Sequence, residues 1–102
     1  MINIEDLQKL CRSNKIIWSS HILNRMHQRN INRYDIINAV LSGEIIEQYE
    51  QDYPYPSCLL LGKSVSNVDL HIVCSICDNG MVLITVYYPD DRFDKTNKIR
   101  KV

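Results

Sequence analysis

The residues best suited to take part in a chemical reaction lie in one short stretch, residues 20–29. Basic and apolar side chains both follow helical spacing there. His21, Arg25 and Arg29 follow one another at intervals of four, so at about 100° per residue they share one stripe of a helix. The apolar residues beside that stripe, which can face a core, are Ile22, Leu23 and Met26. The stretch therefore predicts a helix that packs against a core and presents one imidazole and two guanidiniums.

These side-chain types, together with phenols and carboxylates elsewhere in the chain, suit the cleavage of RNA without a metal ion. The reaction needs a base for the 2′-hydroxyl, an acid for the leaving oxygen and fixed positive charge at the phosphate. His21 and His71 can serve as base and acid, and the helix arginines can hold the phosphate through paired hydrogen bonds. Tyr87 or Tyr88 can donate a proton, and Glu47 can act as an alternative base or orient a histidine.

Each of these residues also has an ordinary structural explanation. His21 can bond to a neighbouring strand, and His71 can form a cross-strand pair with a tyrosine. Arg25 and Arg29 can form salt bridges with acidic residues, and Tyr87 has a side chain that is common in strands. The combination is therefore also compatible with a non-catalytic surface that binds RNA or protein.

Hydrophobic periodicity predicts helices in the first half of the chain and strands in the second. Asn3 can cap a short helix that runs to about Arg12, and Asn32 can cap a helix that stops at Gly43, with the central helix between them. Strands are predicted at 44–50, 57–63, 69–77 and 81–88, and residues 15–19 as an extended lead-in to the central helix. We therefore expect an α+β fold, with two to three N-terminal helices packed on one face of a four-stranded antiparallel meander and the other face partly open.

The dipeptide Asn79-Gly80 predicts a tight hairpin between the last two strands. A two-residue loop at this position places His71 opposite Tyr88 and Ile72 opposite Tyr87. A β-bulge in either strand would exchange the faces on which these side chains lie.

Length and charge narrow the classes of function. The 102 residues predict a single domain, 1–102, with a core at about 16–92 and a basic tail at 93–102 that could be flexible on its own. The formal net charge of zero argues against a protein that coats nucleic acid indiscriminately. Residues 9–33 nevertheless contain cations and no Asp or Glu. This pattern predicts a basic face for a polyanion, although solvated helix faces produce the same pattern.

Targeting and metal-binding signals are weak. The chain has no apolar run of about 18 residues, and its first residues lack the basic and apolar regions of a signal peptide, so we expect a cytoplasmic protein without membrane contact. Cys74-Ser75-Ile76-Cys77 has the spacing of half a zinc site, but no second Cys or His pair follows it. Neither a metal ion nor a cofactor is therefore predicted, and the cysteines are interpreted as buried thiols.

Ordered motifs run through most of the chain, residues 16–92. They are Trp18-Ser19-Ser20-His21, Arg25-Met26, Arg29-Asn30-Ile31, Asp35-Ile36, Gly43-Glu44-Ile45-Ile46-Glu47-Gln48-Tyr49, Pro54-Tyr55-Pro56-Ser57, Leu61-Gly62, Leu70-His71-Ile72-Val73 and Thr85-Val86-Tyr87-Tyr88-Pro89-Asp90. Together they resemble the 4258 family of domains of unknown function. That family is similar to the RelE-like and barnase-like small ribonucleases. The resemblance implies the toxin of a type II toxin-antitoxin pair, an endoribonuclease acting on mRNA, free or on the ribosome, with a small zinc-ribbon antitoxin of the MqsA type as partner.

The resemblance indicates the helix positions His21, Arg25 and Arg29 and the last-strand positions Thr85 and Tyr87, and it assigns no role to His71 and Glu47, which match recurrent family positions. The side-chain chemistry and the resemblance are combined in one assignment of roles. We expect His21, Arg25, Arg29, His71 and Tyr87 to be catalytic, and Glu47, Thr85, Tyr88 and Arg92 to contact the substrate. One property departs from the pattern, because RelE-like toxins that act on the ribosome are markedly basic and this chain is neutral. The departure leaves open a free-RNA substrate, a lost activity or a different task.

Overall fold

The computed structural model describes residues 1–78 and 80–101 and contains three helices and a five-stranded sheet. The elements are α1 (Ile4–Arg12), β1 (Ile16–Ile17), α2 (Ser20–Gln28), α3 (Arg33–Ser42), β2 (Glu44–Tyr49), β3 (Ser57–Lys63), β4 (Asp69–Cys77) and β5 (Gly80–Tyr87). The strand order in the sheet is β1-β5-β4-β3-β2. The α+β class is confirmed. None of the described helices is long and apolar enough to cross a lipid bilayer.

Helices α1 and α3 begin at the capping residues that the sequence suggests, and α2 begins after Ser19. The side chains of Asn3 and Ser19 accept hydrogen bonds from backbone N–H groups in the first turns of α1 and α2. Asn32 and Asp35 form a reciprocal capping box at the start of α3, and Gly43 follows the last residue of that helix. The N-terminal ends of all three helices are thus determined by local hydrogen bonding.

The sheet is mixed, which corrects the predicted four-stranded antiparallel meander. Strands β2 to β5 form an antiparallel meander, but β1 adds a fifth strand that runs parallel to β5. Ile16 lies opposite Met81, and Ile17 lies opposite Val82. The expectation was wrong here because a strand of two residues carries no periodicity, and its pairing depends on where the chain passes in three dimensions.

The first residues of β5 lie close to the chain before β1. Cys77 pairs with Gly80, while Asn79 of the predicted turn lies outside the described residues. Gly80 has φ +149°, and a Cβ built on it would lie 2.3 Å from the carbonyl oxygen of Lys15. The same carbonyl accepts a hydrogen bond from the N–H of Met81 at 2.8 Å. A glycine is therefore required where β1 joins the sheet, in addition to its value in a hairpin.

The register of β4 and β5 also differs from the predicted one. His71 lies opposite Tyr87, whereas the sequence placed it opposite Tyr88. Cys77 pairs with Gly80, whereas the predicted loop would pair it with Val82, so β5 is displaced by two residues at the hairpin. The extra residue Ile84 in β5, beside Val73, reverses one of the two. Since side chains alternate along a strand, Tyr87 lies on the same face as His71 and Tyr88 lies on the opposite face.

The two faces of the sheet have different coverings. The three helices cover one face, here called the helix face, and the core lies between them and the sheet. Its fully buried members include Leu7, Ile22, Ile36, Leu60, Leu70, Ile72 and Val86. The opposite face is called the second face, and it carries the side chains that alternate with these strand residues.

The C-terminal segment, residues 93–101, lies against the second face. The ring of Phe93 is only 2% exposed and packs against His71, with 4.5 Å between the ring centroids. Asn97 donates a side-chain hydrogen bond to Asp69 at 2.8 Å. The part of the chain expected to be a basic tail is thus in contact with the sheet, and the second face is less open than the sequence indicated.

Candidate functional site

Helix α2 places its three basic candidates on the helix side of the sheet. His21 is exposed, and Nη1 of Arg25 donates to the side-chain oxygen of Gln28 at 3.3 Å. Arg29 is engaged differently, because its Nη1 donates to the carbonyl oxygen of Val86 at 2.7 Å. Arg29 therefore fastens α2 to β5, whereas His21 and Arg25 lie at the surface of the helix.

The second face carries four other candidates. His71 and Tyr87 are cross-strand partners whose rings meet edge to face, with 5.4 Å between the centroids. Val73 lies two residues from His71 in β4 and therefore on the same face, and Thr85 is the cross-strand partner of Val73 on that face. Glu47 projects from β2 on this face and is half-buried. An imidazole, a phenol, a hydroxyl and a carboxylate are thereby presented on one side of the sheet.

Cations from the residues after β5 complete this group. The guanidinium carbon of Arg92 lies 5.5 Å from the ring centroid of Tyr87, and Arg92 also pairs with Asp90 at 2.9 Å. Nη2 of Arg100 lies 3.0 Å from the carboxylate of Glu47. Arg92 was an expected substrate contact, but Arg100 was missed, because nothing in the sequence relates it to a residue 53 positions earlier.

Two aromatic residues of this group were also missed by the sequence interpretation. The hydroxyl of Tyr49 donates a hydrogen bond to Glu47, so the carboxylate is bound by a phenol as well as by Arg100. Phe93 packs its ring on His71. Alternation along β2 already placed Tyr49 on the face of Glu47, and this signal could have found it.

The predicted site residues thus form two groups on opposite sides of the sheet. The group on the helix side contains His21, Arg25, Arg29 and Tyr88, and the group on the second face contains Glu47, His71, Thr85, Tyr87 and Arg92. Tyr88 belongs to the first group because its hydroxyl points to the carbonyl oxygen of Asn30, at 3.5 Å. The structure therefore does not bring the nine predicted residues together in one site.

His71 occupies the most enclosed position of the second-face group. It is 0% exposed, and its Nε2 lies 2.8 Å from the carbonyl oxygen of Asn97. Its Nδ1 is buried and has no hydrogen-bond partner among the described residues. Burial lowers the pKa of His71 by more than the Asn97 carbonyl and the nearby carboxylates raise it. The imidazole is therefore neutral near pH 7 and has a bare nitrogen that can accept a proton.

The acidic and phenolic groups nearby have complementary protonation states. Partial burial raises the pKa of Glu47, but hydrogen bonds from Arg100 and Tyr49 outweigh it, and the net pKa lies below the usual value. Burial, together with the hydrogen bond to Glu47, raises the pKa of Tyr49 to about 12. Burial likewise raises the pKa of Tyr87. Near neutral pH the second face thus offers an ionised carboxylate, a neutral imidazole and two protonated phenols.

The cysteines do not form a ligand set. Cys74 and Cys77 are three residues apart on one strand, so their side chains point to opposite faces of the sheet. Cys74 is buried on the helix face, where its Sγ lies 3.8 Å from that of Cys58 across the strand pair. Across residues 1–78 and 80–101, no group of three or more His, Cys, Asp or Glu side chains is placed to hold a metal ion.

Comparison with known proteins gives one match. No curated protein and no solved structure matches the chain. The model of a family described as Domain of unknown function (DUF4258) matches residues 18–88, which extends from Trp18 through β5. The match includes Glu47, His71 and Tyr87, whereas Arg92 and Arg100 lie beyond its end. Because the match covers well over half of the 102 residues, the chain belongs to the DUF4258 family.

Proposed function

We propose that the chain is the toxin of a type II toxin-antitoxin pair, an endoribonuclease that cleaves RNA through side-chain acid–base chemistry at the second face. The observation that carries the proposal is the grouping of Glu47, His71 and Tyr87 on one face of the sheet, with the guanidinium of Arg92 beside them. These groups comprise a base, an acid and a fixed positive charge, which are the parts that cleavage by the 2′-hydroxyl requires.

Nδ1 of His71 is suited to be the base, because it is a bare acceptor on a neutral ring. It takes the proton of the 2′-hydroxyl as that oxygen attacks phosphorus, and the bond from phosphorus to the 5′-oxygen breaks. The protonated phenol of Tyr87 gives its proton to the leaving 5′-oxygen, since an alkoxide is far more basic than a phenolate. Arg92 neutralises charge on the phosphate. Glu47 stabilises the imidazolium that forms.

Substrate and partner follow from the family resemblance and are proposed on that ground. The substrate is mRNA, and the inhibitory partner is a small zinc-ribbon antitoxin of the MqsA type. The net charge of zero favours free mRNA over mRNA on the ribosome, because RelE-like toxins that act on the ribosome are markedly basic.

The test is induced expression in a bacterial host, with total RNA mapped for new 5′ ends. The parent should arrest growth and produce discrete cleavages. Tyr87→Phe removes only the hydroxyl and should lower the cleavage rate about 100-fold or more, the usual contribution of a general acid. Tyr88→Phe is the matched control, because Tyr88 is the next residue and lies on the opposite face, outside the proposed site.

The same experiment also tests whether the site lies instead on α2, among the other group of predicted residues. A loss of cleavage in His21→Gln and Arg25→Gln, with Tyr87→Phe fully active, would place the site on α2 and refute the site on the second face. A parent that leaves RNA intact would refute the enzymatic proposal altogether.

A second candidate function is a non-catalytic module that binds RNA or protein. The complete burial of His71 beneath the C-terminal segment favours it, because a buried imidazole cannot touch RNA without a rearrangement. An RNA-binding module would leave RNA intact, and its affinity would fall steeply with salt concentration. A titration of the purified chain with RNA at several salt concentrations measures this property.

A further inference from the structure

The C-terminal segment, residues 93–101, already binds the groups that the proposed function needs. The carbonyl oxygen of Asn97 accepts the hydrogen bond of His71, and the guanidinium of Arg100 binds the carboxylate of Glu47. Phe93 lies on the face of the sheet where RNA would have to approach His71. We propose that this segment is a self-inhibitory cover that must leave the second face before RNA can reach His71, a proposal that rests on the proposed function.

The contacts of the segment are those of a detachable element. Among the described residues, none of its backbone-to-backbone hydrogen bonds reaches a strand of the sheet, and the carbonyl of Asn97 bonds to the side chain of His71 and not to the ladder. Those bonds instead run within the segment or to the residues just before it, as from Lys101 to Arg92 and from Asp94 to Ile99. The segment can therefore move as a small closed loop without breaking the ladder of the sheet.

One apolar anchor, two partly buried hydrogen bonds of Asn97 and two ion pairs hold the segment in place. Phe93 is the anchor, since its ring is almost completely buried against His71. The ion pairs of Lys98 with Glu44 and of Arg100 with Glu47 involve partly exposed side chains, and such pairs contribute little to stability. Removal of the Phe93 ring should therefore shift the segment towards the open state.

The closed state also retains an unfavourable feature at its centre. Nδ1 of His71 is buried without a partner among residues 1–78 and 80–101, and an unsatisfied buried acceptor destabilises the state that contains it. Departure of the segment uncovers Nδ1 and releases Nε2 from the Asn97 carbonyl, so in the open state whichever ring nitrogen is unprotonated can accept the proton of a substrate hydroxyl. The closed state therefore lacks part of the stabilisation that a fully paired site would have, which favours reversible opening.

Opening can be measured without RNA, through the reaction of histidines with diethyl pyrocarbonate followed peptide by peptide by mass spectrometry. His21 and His27 are exposed and serve as internal references in the same molecule. In the parent, His71 should react several-fold more slowly than either reference. Phe93→Ala should accelerate the reaction of His71 several-fold and leave the two references unchanged.

Two further variants keep the measurement decisive. Leu83→Ala removes a buried side chain from the helix face, so it destabilises the fold without touching the segment, and His71 should stay protected. Arg100→Gln keeps Phe93 and removes the ion pair to Glu47, so His71 should react somewhat faster than in the parent. The proposed cover would be refuted if His71 reacted at the same rate in the parent, Phe93→Ala and Arg100→Gln. It would also be refuted if His71 were as reactive as His21 in the parent.

RNA cleavage is measured separately on the same proteins. If the segment is inhibitory, Phe93→Ala should cleave RNA several-fold faster than the parent. If His71 becomes reactive but neither protein cleaves RNA, the proposed function fails while the segment is still established as a cover of His71. If His71 becomes reactive and cleavage becomes slower, the segment belongs to the catalytic machinery, and self-inhibition is refuted.

Discussion

The Nε2 atom of His71 lies 2.8 Å from the carbonyl oxygen of Asn97, and this contact determines which ring nitrogen carries the proton. A carbonyl oxygen only accepts hydrogen bonds, so Nε2 donates and Nδ1 is a bare acceptor. The two residues are 26 positions apart in the sequence. Their contact exists because the C-terminal segment folds back onto the second face, and it makes the protonation state of His71 depend on that segment.

Acidification should destabilise the native state through His71. Burial lowers the pKa of His71 from the value of about 6.5 that applies to the unfolded chain. Between the two values the unfolded state binds more protons than the native state, so the free energy of unfolding rises with pH in that interval. The contribution is complete above about pH 6.5 and is lost as the pH falls through the lowered native value.

Urea unfolding between about pH 5 and pH 8 measures this dependence. His71→Gln keeps an amide donor near the position of Nε2 but cannot be protonated, and it should remove part of the pH dependence. The exposed His21 and His27 are present in both proteins, so they cancel in the comparison. The same slope in the parent and in His71→Gln would contradict the assignment of the effect to His71.

Arg29 and Arg25 should differ in their effects on stability, although the sequence assigned them the same role. Arg29→Ala should lower the free energy of unfolding by about 1.5–3 kcal/mol, the usual contribution of a hydrogen bond from a charged group, because it removes the bond to the Val86 carbonyl. Arg25→Ala should change it by less than about 0.5 kcal/mol, as surface substitutions do, since its bond to Gln28 is exposed. Equal losses in the two variants would refute a structural role specific to Arg29.

Local signals in the sequence were sufficient to predict many of the helix starts and strand bounds. The capping residues Asn3 and Asn32 mark the starts of α1 and α3, because their side chains bond to the backbone only a few residues away. The predicted bounds of 57–63 and 69–77 are those of β3 and β4. Features with a local cause could therefore be predicted from the sequence.

The arrangement of the candidate site could not be predicted in this way. The face on which Tyr87 lies depends on the closure of the hairpin and on the extra residue Ile84, and a change of one residue in register reverses it. The approach of Arg100 to Glu47 depends on the path of a segment with little regular structure. Both features are set by tertiary packing, on which a periodic pattern gives no information.

Gly62→Ala should be strongly destabilising because α3 passes directly over β3 at this point. A Cβ on Gly62 would lie 1.9 Å from the carbonyl oxygen of Ala39 and 2.5 Å from its carbonyl carbon, which are backbone atoms of the helix. Relief of the overlap requires the helix to shift, and we expect a loss of about 3 kcal/mol or more in the free energy of unfolding.

Lys63→Ala is the control at the neighbouring exposed position and should cost about 0–1 kcal/mol, the usual contribution of a surface ion pair. A Gly62→Ala variant as stable as the parent would disprove the close approach of α3 to β3.

Two leucines provide a matched test of the core. Leu60 is 0% exposed on the helix face, whereas Leu23 of α2, which the sequence indicated could face the core, is 41% exposed. Leu60→Ala should lower the free energy of unfolding by about 2–5 kcal/mol, because it removes buried methyl groups and leaves a cavity. Leu23→Ala should cost less than about 1 kcal/mol, since most surface substitutions change stability little. Urea unfolding of both variants measures the difference. The chemical change is identical, and helix and strand propensities differ by about 1 kcal/mol at most, so a larger difference reports burial. If Leu23→Ala were as costly as Leu60→Ala, the outer side of α2 would have to be covered in solution.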